Sequence, residues 1–313
     1  MTTALITGAR GFVGRHLARA LQKQGIQVCG MGHGAWTERE RTAWGVGYWV
    51  NGEVSKRNLD IVQAQMGRPD VVFHLAGGSA VGPSLAAPEE DFRRSVLSAA
   101  ELLEWARLAA PEARLVLASS AAVYGAGHSQ PIREADALLP YSPYGSHKRI
   151  AEELFASYGR NFGLNVATVR LFSVYGTELQ KQLLWDACGR LAKDASQLTL
   201  GGTGAELRDW LHVSDAAVVL QLAASQACAA GYTVNGGTGV AVSVRQVAEQ
   251  LCAVWGAGTV LGFSGHGRAG DPQYLVADVA QAAALGFAPR TEWQAGVADY
   301  VAWFKRATAQ ALA

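Results

Sequence analysis

A short apolar run, Ala4-Leu5-Ile6-Thr7, passes straight into the turn Gly8-Ala9-Arg10-Gly11-Phe12-Val13-Gly14. Behind it Val13, Leu17 and Leu21 recur at helical spacing until Gly25. A buried strand, a turn with glycines three apart and an amphipathic helix leave few folds open. Glycine lets the backbone approach a ligand closely, and the first N–H groups of the helix, with its dipole, favour an anion. In that context the turn reads as a cradle for a dinucleotide pyrophosphate, with Gly8, Arg10, Gly11, Phe12 and Gly14 as candidate contacts.

More strands follow the same plan. IQVCGM (26–31), DVVFHLAG (70–77), RLVLASS (114–120) and LNVATVRLF (164–172) are short, apolar and separated by helical patterns. Runs of this kind imply a parallel sheet covered on both faces. The expected fold is α/β, a Rossmann-type doubly wound parallel sheet with a smaller C-terminal substrate-binding lobe. Residues 1–172 would form the dinucleotide-binding domain, with a return segment near 209–236. Residues 173–208 and 237–313 would form the smaller lobe, with a helix over 180–193 and an irregular loop over 266–278.

Composition narrows the function. Of 313 residues half are apolar and 17% charged, which suits a folded chain. A net charge of +1 gives no reason to expect nucleic acid or an anionic membrane as partner. The N-terminus has no basic segment ahead of a long apolar one, and no apolar run approaches the roughly 20 residues of a spanning helix. The four cysteines, Cys29, Cys188, Cys228 and Cys252, form no CxxC pair and read as small buried apolar residues of a cytoplasmic protein. The seven histidines show no ligand spacing, so no metal is expected.

Chemistry concentrates in YSPYGSHK (141–148). Ser142 suits a helix cap and Pro143 the first helical position, and Ile150, Leu154 and Tyr158 continue along one face. Tyr144 and Lys148 then stand one turn apart on one side of that helix. The spacing alone is a weak motif. Its position strengthens it, just downstream of a strand ending in Ser119 and Ser120, where substrates meet cofactors in open α/β sheets. A nearby ammonium is expected to lower the Tyr144 pKa into working range for proton transfer. At the end of the second strand Gly32 and His33 replace the carboxylate that a NAD site offers to the ribose 2′-hydroxyl, and Arg10 lies in the turn. This favours NADP(H), with NAD(H) as the alternative.

Taken in order, TGARGFVG, DVVFHLAG, SSAAVYG, YSPYGSHK, RLFSVYG, RDWLHVSD and RAGDP resemble the extended short-chain dehydrogenases/reductases that act on nucleotide sugars, over nearly the whole chain. The resemblance implies that Tyr144 is the general acid/base and that Lys148 supports it and holds the nicotinamide ribose. Ser120 would bond the reacting sugar oxygen. Glu53 would meet the adenine, with Val54, Leu75, Ala76 and Gly77 beside the cofactor. Arg208 and Arg268 would hold a substrate diphosphate, since the guanidinium fork matches phosphate oxygens. Ser79, Ser173 and Lys181 would complete the substrate side, and a homodimer is implied.

Two departures qualify this. Ala121 and Ala122 stand where sugar 4,6-dehydratases carry an acid, which argues against dehydration. Ser95 and Ser173 stand where relatives often carry Asn. Asp209, His212 and Asp215 of RDWLHVSD read as structural. An NADPH-dependent 4-keto-(6-deoxy)hexose reductase, a nucleotide-sugar 4-epimerase with tightly held NAD, and a non-catalytic dinucleotide-binding regulator remain open, in that order.

Overall fold

The structure, a computed structural model, describes residues 2–256, 258–267 and 271–312. In chain order the strands are β1 (Thr3–Thr7), β2 (Gln27–Gly32), β3 (Tyr48–Asn51), β4 (Val71–His74), β5 (Arg114–Ser120), β6 (Asn165–Leu171), β7 (Ser173–Tyr175), β8 (Gln197–Leu200), β9 (Leu207–His212), β10 (Tyr232–Gly236), β11 (Ala241–Ser243), β12 (Val260–Phe263) and β13 (Tyr274–Leu275). Seven of them form a parallel sheet in the order β10-β6-β5-β4-β1-β2-β3. The chain is therefore α/β, with a Rossmann-type doubly wound sheet.

Successive strands run outward from β1 in one direction and from β4 in the other. A crevice opens at that switch point, beyond the carboxyl ends of the strands. Gly8, Leu75 and Ser120 are all delivered there, at the ends of β1, β4 and β5. Helices bury both faces of the sheet. Leu17 and Leu21 of helix Phe12–Lys23 join Ala216 and Leu220 of helix Val213–Ser225 on one side. On the other, Leu59 and Val62, Leu102 and Leu103, and Phe155 come from helices Lys56–Met66, Ser98–Ala109 and Pro143–Phe162. A separate core of Leu184, Leu198, Trp210, Val247, Tyr300 and Phe304 lies under the later helices.

The structure differs in detail from what the sequence led us to expect. β10 joins the large sheet, but β9, from the same expected return segment, pairs with β7, β11 and β13 in a second sheet. The expected loop over 266–278 contains β13. The helix over 180–193 contracts to Gln182–Leu191. The row Ile150, Leu154, Tyr158 lies on the flank of its helix, while Lys148, Ala151, Glu152 and Phe155 point inward. Cys29 and Cys188 are buried, but Cys228 is exposed and Cys252 only partly covered. Among the described residues, no helix is long and apolar enough to cross a membrane.

Candidate active site

Backbone geometry explains the glycine turn. Gly8 has φ +74°, and a Cβ there would lie 2.9 Å from the backbone of Leu75 and Ala76. A Cβ on Gly14 would lie 2.3 Å from the Gly8 carbonyl oxygen. These two glycines let β1, β4 and the helix start pack without a gap. Gly11 caps helix Phe12–Lys23 with no side chain, so the first N–H groups keep their donor capacity for an anion. The turn therefore fits a dinucleotide pyrophosphate on its own geometry.

The Tyr144 helix is placed just as locally. Ser142 Oγ accepts from Gly145 N at 3.2 Å, Pro143 opens the first turn and Gly163 ends the helix in the left-handed region. Gly145 allows the helix to press on the turn after β5, since a Cβ there would fall 2.5 Å from the Ala122 carbonyl oxygen. Tyr144 is thereby brought to Ser120, whose Oγ accepts from Ala122 N at 3.2 Å. Tyr144 N–H also donates to Ser84 Oγ at 3.0 Å. One turn on, Lys148 is buried and its Nζ donates to the Ala118 carbonyl at 2.9 Å.

Electrostatics here differ from the sequence reading. Burial raises the Tyr144 pKa and Asp91 raises it further, while a hydrogen bond with Ser120 lowers it. The expected net lowering is not found; desolvation of the phenol outweighs it. Lys148 is pulled down by burial to about 8, against the upward pull of Asp91 and Glu152.

A single cavity of about 1230 Å³ joins these groups. That exceeds the roughly 300–1,000 Å³ typical of one small-molecule site, leaving room for two ligands. Gly8, Arg10, Gly11, Phe12 and Gly14 line it from the turn, His33, Glu53 and Val54 from the ends of β2 and β3, and Leu75, Ala76 and Gly77 from the end of β4. Ser120, Tyr144 and Lys148 stand at its middle, and Ser79, Ser173, Lys181 and Arg208 on the far side. Arg268 lies outside the described residues.

Lys181 Nζ donates to Ser79 Oγ at 2.6 Å, and burial lowers its pKa. Its loop is strained: Glu178 and Gln182 on either side have φ +75° and +65°. Arg208 is also lowered by burial, with Asp271, Glu206 and Tyr141 opposing. Asp271 and Tyr141 line the same end of the cavity; they stand inside RAGDP and YSPYGSHK, but no role was read for them from the sequence. Arg10 reaches the end of β2: a Cβ on Gly34 would sit 2.4 Å from its Nη1.

The RDWLHVSD residues do structural work. Buried Asp209 accepts from Thr238 N at 2.7 Å, Thr238 Oγ1 at 2.8 Å and Gly239 N at 2.9 Å. His212 Nδ1 lies 2.7 Å from Ser214 Oγ at a helix start, and Asp215 accepts from Arg290 N and Thr291 N, each at 3.2 Å.

Comparison with known proteins agrees with this architecture. Residues 4–236 match the model of the NAD dependent epimerase/dehydratase family. The chain belongs to that family. It is 31% identical to a UDP-glucose 4-epimerase of Azospirillum brasilense, over 98% of this chain and 93% of that one. A dTDP-glucose 4,6-dehydratase of Actinoplanes sp. is 27% identical, over 96% and 97%. The solved structure of MoeE5 in complex with UDP-glucuronic acid and NAD superposes with a TM-score of 0.84 at 32% identity, covering 97% of this chain and 99% of that one. The family consists of enzymes that work with a nicotinamide dinucleotide, and its members here include both an epimerase and a dehydratase.

Proposed function

We propose that this protein is a 4-epimerase of a UDP-linked hexose that keeps its nicotinamide dinucleotide bound. The observation that carries the reading is the convergence of Ser120, Tyr144 and Lys148 in one cavity with the uncapped glycine turn, where Ala121 and Ala122 supply no acid for dehydration. The names of the Azospirillum epimerase and of the MoeE5 complex support the UDP sugar and NAD.

The bound dinucleotide supplies reversible hydride exchange at C4. Tyr144 takes the proton of the C4 hydroxyl on its phenolate oxygen and returns it when the alcohol re-forms. Ser120, beside the same phenol, orients the sugar oxygen. Lys148, one turn on, would bond the nicotinamide ribose, and its ammonium would work toward the phenolate against the burial that raises the Tyr144 pKa. Arg208 and Lys181, cations on the far side of the cavity, hold the diphosphate.

A second reading keeps one specific observation in its favour. Gly32 and His33 offer no carboxylate to a ribose 2′-hydroxyl, and Arg10 reaches that end of the cavity. This favours NADP(H) and a 4-ketoreductase. Incubation with UDP-glucose and UDP-glucuronic acid, followed by proton NMR, separates the two. Formation of the galacto epimers without added cofactor is expected. Absence of epimers, with NADPH consumed only when a 4-keto nucleotide sugar is supplied, would replace the epimerase reading by the reductase.

A further inference from the structure

Behind Tyr144 and Lys148 lies a buried acid that the reaction scheme above does not use. Asp91 belongs to the short helix Pro88–Phe92, which packs across helix Pro143–Phe162. Its Oδ2 accepts from His147 Nδ1 at 2.6 Å, and the His147 ring meets Phe92 edge-on at 5.5 Å between centroids. Its other oxygen presses on the loop after β4: a Cβ on Gly78 would fall 1.8 Å from Asp91 Oδ1. On the neighbouring Gly77 a Cβ would be 3.2 Å from Lys148 Nζ. Asp91 and Lys148 thus flank two successive glycines that leave no side chain between them.

The other charges nearby are already matched. Glu152, the second acid acting on Lys148, is held by Arg170 at 2.8 Å and by the Ser119 hydroxyl. Glu89 and Glu90 pair with Arg93 and Arg94 on the exposed side, at 3.1 and 2.6 Å, and Arg149 pairs with Glu153 at 3.1 Å. His74 of β4 is neutral, its pKa driven by burial to about 3. Helix Val81–Ala86 carries no titratable group. Among the described residues, His147 is the one side chain that hydrogen-bonds Asp91, and the acid's field falls on Lys148 and Tyr144.

We propose that Asp91, clamped by His147, is a positioning residue for the Tyr144–Lys148 pair: the buried counter-charge that keeps Lys148 protonated beside the cavity. This rests on the reading of that pair as the proton-transfer site. Nothing in the motif announces it, since Asp91 lies on a different helix and His147 resembles a surface residue of YGSHK.

The test is the titration of Lys148 in the full chain labelled with ¹³Cε-lysine, its signal assigned by its loss in Lys148→Arg. The midpoint is expected near 8 in the natural protein. Asp91→Asn should move it down by about one pH unit, the size expected for removal of a close opposite charge. Asp91→Glu should restore it, and His147→Gln, which leaves the carboxylate, should shift it less than Asp91→Asn. Circular dichroism with thermal melting verifies that each variant is folded, and Asp91→Ser replaces the asparagine variant if that one does not fold. A midpoint unmoved in a folded variant lacking the carboxylate overturns the proposal. Full turnover of UDP sugars by Tyr144→Phe would instead overturn the reading of the site, and would leave the titration result standing.

Discussion

Arg170→Met should be among the most damaging single changes outside the cavity. Arg170 and Glu152 are each 8% exposed in their side chains. Nε of Arg170 lies 3.1 Å from both carboxylate oxygens of Glu152 and Nη2 lies 2.8 Å from Oε2. Nη1 donates to Tyr124 Oη at 2.9 Å and to the Glu134 carbonyl at 2.8 Å, and Tyr124 donates in turn to Asn235 at 2.6 Å. Methionine would fill much of the volume but leave Glu152 charged, buried and held only by Ser119. Removing one partner of such a pair costs about 3–5 kcal/mol, since the remaining charge is uncompensated. An unfolding entropy of roughly 2.1 cal/mol/K per residue over a chain of this length turns that into a melting temperature lower by about 5–8 °C. Calorimetry at pH 7 measures it. The double variant Glu152→Leu with Arg170→Met should recover most of the loss, because neither member of the pair is left behind without its partner. If Arg170→Met melts within about 1 °C of the natural protein, the pair is relaxed by water or rearrangement and the reasoning fails.

Other outcomes follow from the site. Tyr144→Phe should lower turnover by roughly 10²–10⁴-fold, the usual contribution of a general acid/base, with dinucleotide affinity kept; both are read on one preparation. Gly14→Ala should abolish dinucleotide retention, measured as nucleotide released on denaturation, because its methyl would lie 2.3 Å from the Gly8 carbonyl oxygen. Lys148→Met should destroy activity yet raise the melting temperature at pH 7. The folded pKa of Lys148, about 8, lies below its ordinary 10.5, so the unfolded chain holds more protons between those values. Stability of the natural protein therefore rises with pH across that window, and the advantage of the variant should shrink from pH 8 to 10.5. An advantage independent of pH would contradict the buried charge.

What the sequence revealed and what it hid have physical causes. The glycine turn was legible because strand, turn and helix are local, and packing demands on Gly8 and Gly14 leave no other residue. The start of helix Pro143–Phe162 was legible for the same reason, through Ser142 and Pro143. Strand β3, with the sequence YWVN, was missed because it is half exposed at a sheet edge and lacks a buried apolar run. That the return segment near 209–236 divides, β10 entering the large sheet and β9 the second one, was not legible, since pairing between distant strands is a tertiary choice. The rise in the Tyr144 pKa could not be seen either, because burial and Asp91, from 53 positions away in sequence, act only in the folded chain. Tyr141 and Asp271 were in view within YSPYGSHK and RAGDP, but that they meet beside Arg208 is decided only by the fold.

The measurement that tests the account most directly is identification of the nucleotide released when the purified protein is denatured. An epimerase that regenerates its cofactor within each turnover is predicted to release close to one NAD per chain. Release of NADP, or an empty protein that binds NADPH in preference to NADH, would contradict the epimerase reading and establish the Gly32–His33 end of β2 as a 2′-phosphate site.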